Sequence, residues 1–388
     1  MKGRLGILGG CSGRKKKKEV CGGLLSLLPD DVFVDILAKL PRLDLVALAT
    51  VSRRHRNIAA CHKLWSMRYR LKSVEPYMYV YMHMYPDPSP RWFVFHPVQR
   101  RLKRIHAPPR SFCPAAAPVE GSCFVRTDRG IYTIGGLLMD GKPTSGVTFF
   151  DCIDHKVYQV APMKMARSGA SASLIEERKI YVFGGCFAAD SDSSNCWVEV
   201  YDIHTKTWEL LSVVSTPPKI KMPLKIKQSM TMMHEKNVYM VAEDGEIFFF
   251  STSECRVLAA GGVKDSDPEN HNDWRLYDET FICRGVGGRV LWRSLYKLGW
   301  NEVKGLEELQ KQHIIKICAF PPDRIAIFWS QGPAYQTLEL WFTEVSLKGH
   351  WETEDEFQLW GNIESSAAVF SDSSITAFHL LYADSFFL

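Results

Sequence analysis

A pattern that returns after about fifty residues constrains this chain more than any single residue in it. One copy reads Ile131-Tyr132-Thr133-Ile134-Gly135-Gly136, followed by Phe149-Phe150-Asp151 and then Tyr158. The next reads Ile180-Tyr181-Val182-Phe183-Gly184-Gly185, followed by Val200-Tyr201-Asp202 and then Trp208. Gly135 to Gly184 spans 49 residues, Asp151 to Asp202 spans 51 and Tyr158 to Trp208 spans 50, so three landmarks keep register within one residue. Paired glycines permit backbone torsions and a close approach that a Cβ would block, and the spaced aromatics suit packing between neighbouring sheets. One such unit cannot bury both its faces, so units must stack on one another.

Further copies depart from this form. Val238-Tyr239-Met240-Val241 matches the strand, but Ala242 and Glu243 stand where the glycines would be, and a Pro-rich insertion (Pro217, Pro218, Pro223) stretches the spacing from Ile180 to 58. Gly287-Gly288 precedes Val290-Leu291-Trp292, which reads as a pair standing before a strand instead of after one. Trp300–Leu306 and Leu340–Val345 read as outer strands without glycines. The period and the strand-Gly-Gly-Tyr/Trp order resemble the kelch repeat. That resemblance implies an all-β propeller over 76–388, with Gly135, Gly136, Tyr158, Gly184, Gly185 and Trp208 as structural landmarks of its blades. Dividing 76–388 by the kelch period gives about six blades, with five and seven inside the same arithmetic. The run Ile375–Tyr382 and the first strands near Tyr77 and Trp92 are expected to share a blade and close the ring. Tyr77–Tyr85, dense in Met and Tyr, reads as sheet core.

Ahead of the β region the texture is helical. Val32, Phe33, Ile36, Leu37 and Leu40 share a face, Asp30 and Asp31 sit where a helix start favours negative charge, and Pro41 ends the element. A second stripe runs through Leu45, Leu48, Ala49 and Ser52 with Ile58 as an optional extension, and a third carries Leu64, Trp65 and Tyr69, so three short helices are expected within 24–72. The ordered string Leu28-Pro29-Asp30-Asp31, Ile36-Leu37, Leu40-Pro41, Asp44-Leu45 and Val51-Ser52-Arg53-Arg54-His55 resembles an F-box. Ser52, Arg53 and His55 stand where that family carries Cys, Lys and Trp. The resemblance implies docking on the Skp-type adaptor of a cullin ubiquitin ligase, with Leu28, Pro29, Ile36, Leu37, Leu40, Pro41, Leu45 and Val51 at the interface and some of them shared with the module's own core. An N-terminal F-box with C-terminal kelch blades resembles a family abundant in plants, whose propeller recruits a target protein for ubiquitination by other subunits.

Composition narrows the alternatives. With 46% hydrophobic residues, 11 Trp, 14 Tyr and 21 Phe, most of the chain is expected to be globular. The net charge of +5 is matched by the five cations Arg14 and Lys15–Lys18, so the body is near neutral and a broad nucleic-acid face is not expected. Residues 1–23, Gly-rich and basic, read as a disordered tail, whose basic run fits either a nuclear-import address or a solvated segment. Eleven scattered cysteines without a C-x-x-C pair read as reduced thiols of a cytoplasmic or nuclear protein. No apolar run of membrane-spanning length or signal-peptide pattern is present, so no membrane partner is expected.

No H-x-x-x-H, HExxH, GxSxG or Walker-type loop occurs, and no cofactor is expected. Kelch-like copper radical oxidases need two His and two Tyr converging on a metal, whereas His96, His204, His234 and His379 stand in unrelated contexts. Asp267, Glu269, Glu352, Glu354, Asp355 and Glu356 read as solvated loops. The chain is thus expected to be a non-catalytic receptor subunit, or a plain interaction scaffold, with the Ala188–Cys196 and Lys264–Asp273 loops as candidate target contacts.

Overall fold

The computed structural model describes residues 28–96, 98–106, 117–186, 196–216, 222–232, 237–264, 275–277, 280–294, 299–320, 324–330, 339–351 and 357–388. The tail 1–23, His234, the segments holding Asp267, Glu269 and Glu352–Glu356, and nearly all of the two candidate loops lie outside the described residues. The chain divides into two compact units, Met1–Val74 and Glu75–Leu388.

The first unit holds four helices where three were expected: α1 (Asp30–Leu37), α2 (Arg42–Val51), α3 (Arg53–Ala59) and α4 (His62–Arg70). The second stripe is cut at Ser52, whose backbone is extended (φ −155°, ψ 165°) and whose hydroxyl accepts from the His55 amide, so that Ser52 caps a separate α3. The two Leu-Pro pairs act alike. Pro29 O accepts from Phe33 N at 3.0 Å and Pro41 O accepts from Leu45 N at 3.2 Å, so each proline stands just ahead of a helix that its carbonyl begins. The buried face of α1 is Phe33, Val34 and Leu37, rotated from the expected stripe, and Val32 and Ile36 remain exposed.

In the second unit the sheets follow one another as blades. β1 (Pro76–Tyr85), β2 (Arg91–His96) and β3 (Arg101–Arg104) come first. β4 (Cys123–Arg126), β5 (Gly130–Ile134), β6 (Val147–Asp151) and β7 (Lys156–Val160) form one four-stranded blade, and β8 (Ser171–Ile175), β9 (Lys179–Phe183), β10 (Val198–Asp202) and β11 (Thr207–Leu211) the next. The following sheet has five strands: β13 (Ile226–Met232), β14 (Asn237–Ala242), β15 (Glu246–Ser251) and β16 (Arg256–Lys264), with β12 (Val214–Thr216) added parallel to the outer edge of β16. β17 (Arg275–Tyr277), β18 (Thr280–Arg284), β19 (Val290–Ser294) and β20 (Asn301–Glu302) come next. The last full blade is β21 (His313–Phe320), β22 (Arg324–Ser330), β23 (Glu339–Trp351) and β24 (Phe357–Ser371). β25 (Ala377–Phe387) then pairs with β1 from Pro76↔Phe387 to Tyr85↔Ala377, so the last strand completes the first sheet and closes a six-bladed propeller.

Closure explains the Met and Tyr stripe of β1, where Tyr77–Met84 are buried without a break. Met78, Val80, Met82 and Met84 pack with Cys318, Phe328 and Phe342 of the β21–β24 blade. Tyr79 and Tyr81 point the other way, toward Phe150 and Phe124 of the β4–β7 blade, where Trp92 also stacks on Phe150 at 4.3 Å. A strand with a neighbour on both faces reads as a continuous apolar run.

The glycine pairs join blade to blade. Gly136 N donates to Arg167 O at 2.8 Å and Gly185 N donates to Leu224 O at 2.6 Å, each acceptor lying just ahead of the following blade. A Cβ on Gly135 would stand 2.6 Å from Arg167 O and one on Gly184 2.9 Å from Leu224 O, and both glycines have positive φ. The sequence reading of Gly287-Gly288 needs correction: the pair follows β18, and a Cβ on Gly288 would meet Leu309 O, which leads into the next blade. At Ala242-Glu243, where a pair would stand, β14 turns directly into β15 through Gly245 (φ 82°), without the long connection that follows Gly136. Leu340–Val345 belong to β23, third in its blade, whereas the outer strand is β24.

Candidate functional site

The helical unit offers the clearest candidate surface. Its interior is Phe33, Val34, Leu37, Ala38, Leu45, Ile58 and Leu64, with Leu28, Leu40, Leu48, Cys61, Trp65 and Met67 packed around them. Three cations tie the helices together. Arg68, fully buried, donates to Ala38 O and Leu40 O beyond the end of α1 and to Ser73 O at 2.7 Å, so a cation satisfies carbonyls that the helix leaves open. Arg54 donates to Asp30 Oδ1 at 2.7 Å and to Leu28 O at 2.6 Å while lying over the Phe33 ring, which fixes the entry of α1 against α3. Lys63 pairs with Asp31 and holds its carboxyl below the usual carboxylate range. Sequence reading quoted Arg54 without a role and missed Arg68, because a cation serving a carbonyl 26 to 30 residues away leaves no local spacing to detect.

The eight residues singled out for docking divide by depth. Leu37 and Leu45 belong to the interior, Leu28 and Leu40 are half-buried against it, and Pro29, Ile36, Pro41 and Val51 are exposed. Ile36 is 39% exposed and Val51 68%. Val32, Val46, Tyr69 and Leu71 are exposed as well and were not singled out. Spacing gave no signal for these: on α1, Val32 and Ile36 repeat every four residues just as Phe33 and Leu37 do. His55 accepts or donates through Nδ1 to the Ser52 hydroxyl at 2.7 Å and packs edge-on to Phe33, so it supports the module from within.

On the propeller, the named landmarks take different positions. Trp208 is buried between two blades, its Nε1 donating to Ala161 O at 2.7 Å. Tyr158 is 42% exposed, and its hydroxyl donates to Asp154 Oδ2 at 2.6 Å, so it does not fill the space between blades. The residues of its outer strand β7 are exposed or half-buried throughout.

The innermost strands surround a channel of about 960 Å³, into which Lys227, Lys316, His313 and His379 project along with serines of β8 and β13. His379 and His313 are open to channel water yet enclosed by protein, and this enclosure pulls both imidazoles below their ordinary range, with Arg284 acting in the same direction on His313. His96 lies at the end of β2 and His204 in the turn after β10. Among the described residues no group of three or more His, Cys, Asp or Glu is placed to hold a metal ion, and no helix is long and apolar enough to cross a membrane.

Comparison with known proteins agrees with both units. A family model described as F-box-like matches residues 25–70, and one described as FKB95, Kelch-repeats domain matches residues 96–370. The F-box/kelch-repeat protein At4g33900 of Arabidopsis thaliana is 26% identical over 373 residues, covering 89% of this chain and 92% of that protein. The putative F-box/kelch-repeat protein At3g46050 of the same plant is 27% identical over 376 residues, covering 92% and 91%. A third, F-box/kelch-repeat protein At4g39560, is 35% identical over 182 residues, covering 47% of this chain and 66% of that protein. With a kelch match over the greater part of its length and an F-box match ahead of it, the chain belongs to the F-box/kelch-repeat protein family.

Proposed function

We propose that this protein is the substrate-recognition subunit of a Skp-cullin-F-box ubiquitin ligase, non-catalytic itself, acting in the cytoplasm or nucleus. Residues 24–72 dock on a Skp-type adaptor, which links them to cullin, and the propeller within 76–388 recruits a protein target for ubiquitination by other subunits. The observation that carries this reading is that a four-helix module too small to bury all its apolar side chains leaves Ile36, Val51, Val32 and Val46 exposed. Pro29 and Pro41 belong to the same docking surface, Leu28 and Leu40 form its floor, and Leu37 and Leu45 support it from the interior.

Co-expression with a Skp-type adaptor followed by affinity capture tests the proposal. The wild-type chain is expected to co-purify with the adaptor, and Ile36→Asp combined with Val51→Asp to weaken capture at least about tenfold, since each charge would have to be desolvated on docking. Failure of the wild-type chain to bind would instead favour a scaffold outside any ligase.

A further inference from the structure

We propose that Cys186, just past β9, and Cys196, just ahead of β10, form a reversible dithiol-disulfide pair. Their Sγ atoms lie 3.7 Å apart, both residues are 6% exposed, and they stand ten positions apart in the chain. A disulfide needs about 2.05 Å between sulfurs, so closing the pair is a side-chain movement of about 1.6 Å.

The juxtaposition is built by the blade. The backbone of Cys186 bridges that of Arg167, and Ser168 N donates to Gly185 O at 2.9 Å. The Arg167 guanidinium, itself buried, donates to Gly184 O and to Cys196 O, each at 2.5 Å, and holds Glu199 at 3.0 Å. One side chain therefore fixes the backbone on both sides of the thiol pair. Other buried thiols are used differently: Cys123 Sγ lies 3.6 Å from Ile134 O, and Cys318 Sγ lies 3.7 Å from the Met78 sulfur.

The oxidant is a hydroperoxide. One cysteine loses its proton and attacks the peroxide oxygen, giving a sulfenic acid and, with hydrogen peroxide, hydroxide that takes up the proton to become water. The second thiol then attacks the sulfenic sulfur, the S–S bond forms, and a second water leaves, so two thiols and one hydrogen peroxide become one disulfide and two waters. Two molecules of a small thiol reverse the change. Burial raises the Cys186 thiol against the pull of Arg167, so Cys186 stays protonated at neutral pH and oxidation through it is slow.

The test uses the purified full-length protein, reduced, freed of reductant and exposed to hydrogen peroxide for minutes to hours. Free thiols are then alkylated in denaturant and the digest is read by mass spectrometry. The expected product is a Cys186–Cys196 link, about 2 Da lighter than the dithiol, refractory to alkylation until reductant is added, while Cys123 and Cys318 are alkylated throughout. Alkylation of both Cys186 and Cys196 without reductant, or their separate conversion to sulfinic acids, would overturn the proposal. Oxidation is also expected to raise the thermal midpoint of the wild-type protein but not that of Cys186→Ser or Cys196→Ser; the same rise in either variant would overturn it too. Should a variant not fold, the wild-type peptide masses still decide the matter.

Discussion

The four-helix module and the propeller treat apolar side chains in opposite ways. In the propeller every sheet has a neighbour on both faces, and β1 buries eight consecutive residues because its methionines meet one blade and its tyrosines another. In the module α1 buries Phe33, Val34 and Leu37 and leaves Val32 and Ile36 outside. A closed ring completes its own interior, whereas fewer than fifty residues in short helices enclose too little volume to do so. Ring closure lets β1 bury every side chain from Tyr77 to Met84, whereas the short α1 leaves Val32 and Ile36 outside.

The same contrast orders the expected effects of substitution. The largest belongs to the buried pair Arg167–Glu199, with both side chains fully enclosed and Glu199 also accepting from the Lys164 and Met165 amides. Glu199→Leu strands the guanidinium and is expected to destabilise the propeller by about 3–5 kcal/mol, read as a lower midpoint in denaturant. If the midpoint does not move, the β8–β11 blade does not depend on this buried ion pair. Phe33→Ala should cost about 3 kcal/mol or more of the module's stability, removing helical circular dichroism while the propeller still melts at its wild-type temperature. A joint loss of both units would contradict the division between them.

Gly184→Ala places a Cβ at φ 67° and 2.9 Å from Leu224 O. About 1–2 kcal/mol is expected from the backbone conformation alone, more if the strand must shift. Val51→Asp, at an exposed position, should change unfolding free energy by no more than about 0.5 kcal/mol, yet weaken adaptor capture; a large stability change would place Val51 in the interior. The smallest effect concerns pH. His379 is held neutral in the fold below its ordinary range, so the unfolded chain takes up the proton first as pH falls through about 6.5. Stability should therefore decline from pH 7 to pH 5.5, and His379→Gln should make that decline shallower in thermal melts.

Much of the architecture was legible before any coordinates. The register of Gly135, Asp151 and Tyr158 with Gly184, Asp202 and Trp208 set the blade period, and the apolar run near the C-terminus together with Tyr77 pointed to closure. Gly287-Gly288 was misjudged because Arg284-Gly285-Val286 separate the apolar centre of β18 from the pair. The fourth helix was hidden because Ser52 fits a helical stripe by spacing, and only its extended backbone shows the break. Within the candidate docking set, spacing could name Ile36 and Leu37 together but could not say that Leu37 faces inward and Ile36 outward.

Local pattern thus determined the period, the identity of the two units and the Leu-Pro entries of α1 and α2, because strand alternation, glycine torsions and helix starts depend on residues a few positions apart. Tertiary structure alone decided which apolar residues stay exposed, which cations close the module, and that Cys186 and Cys196 meet across the base of one connection. Those outcomes depend on groups distant in sequence, such as Arg68 with Leu40 and Arg167 with Cys196, whose meeting is fixed only when helices pack and blades close.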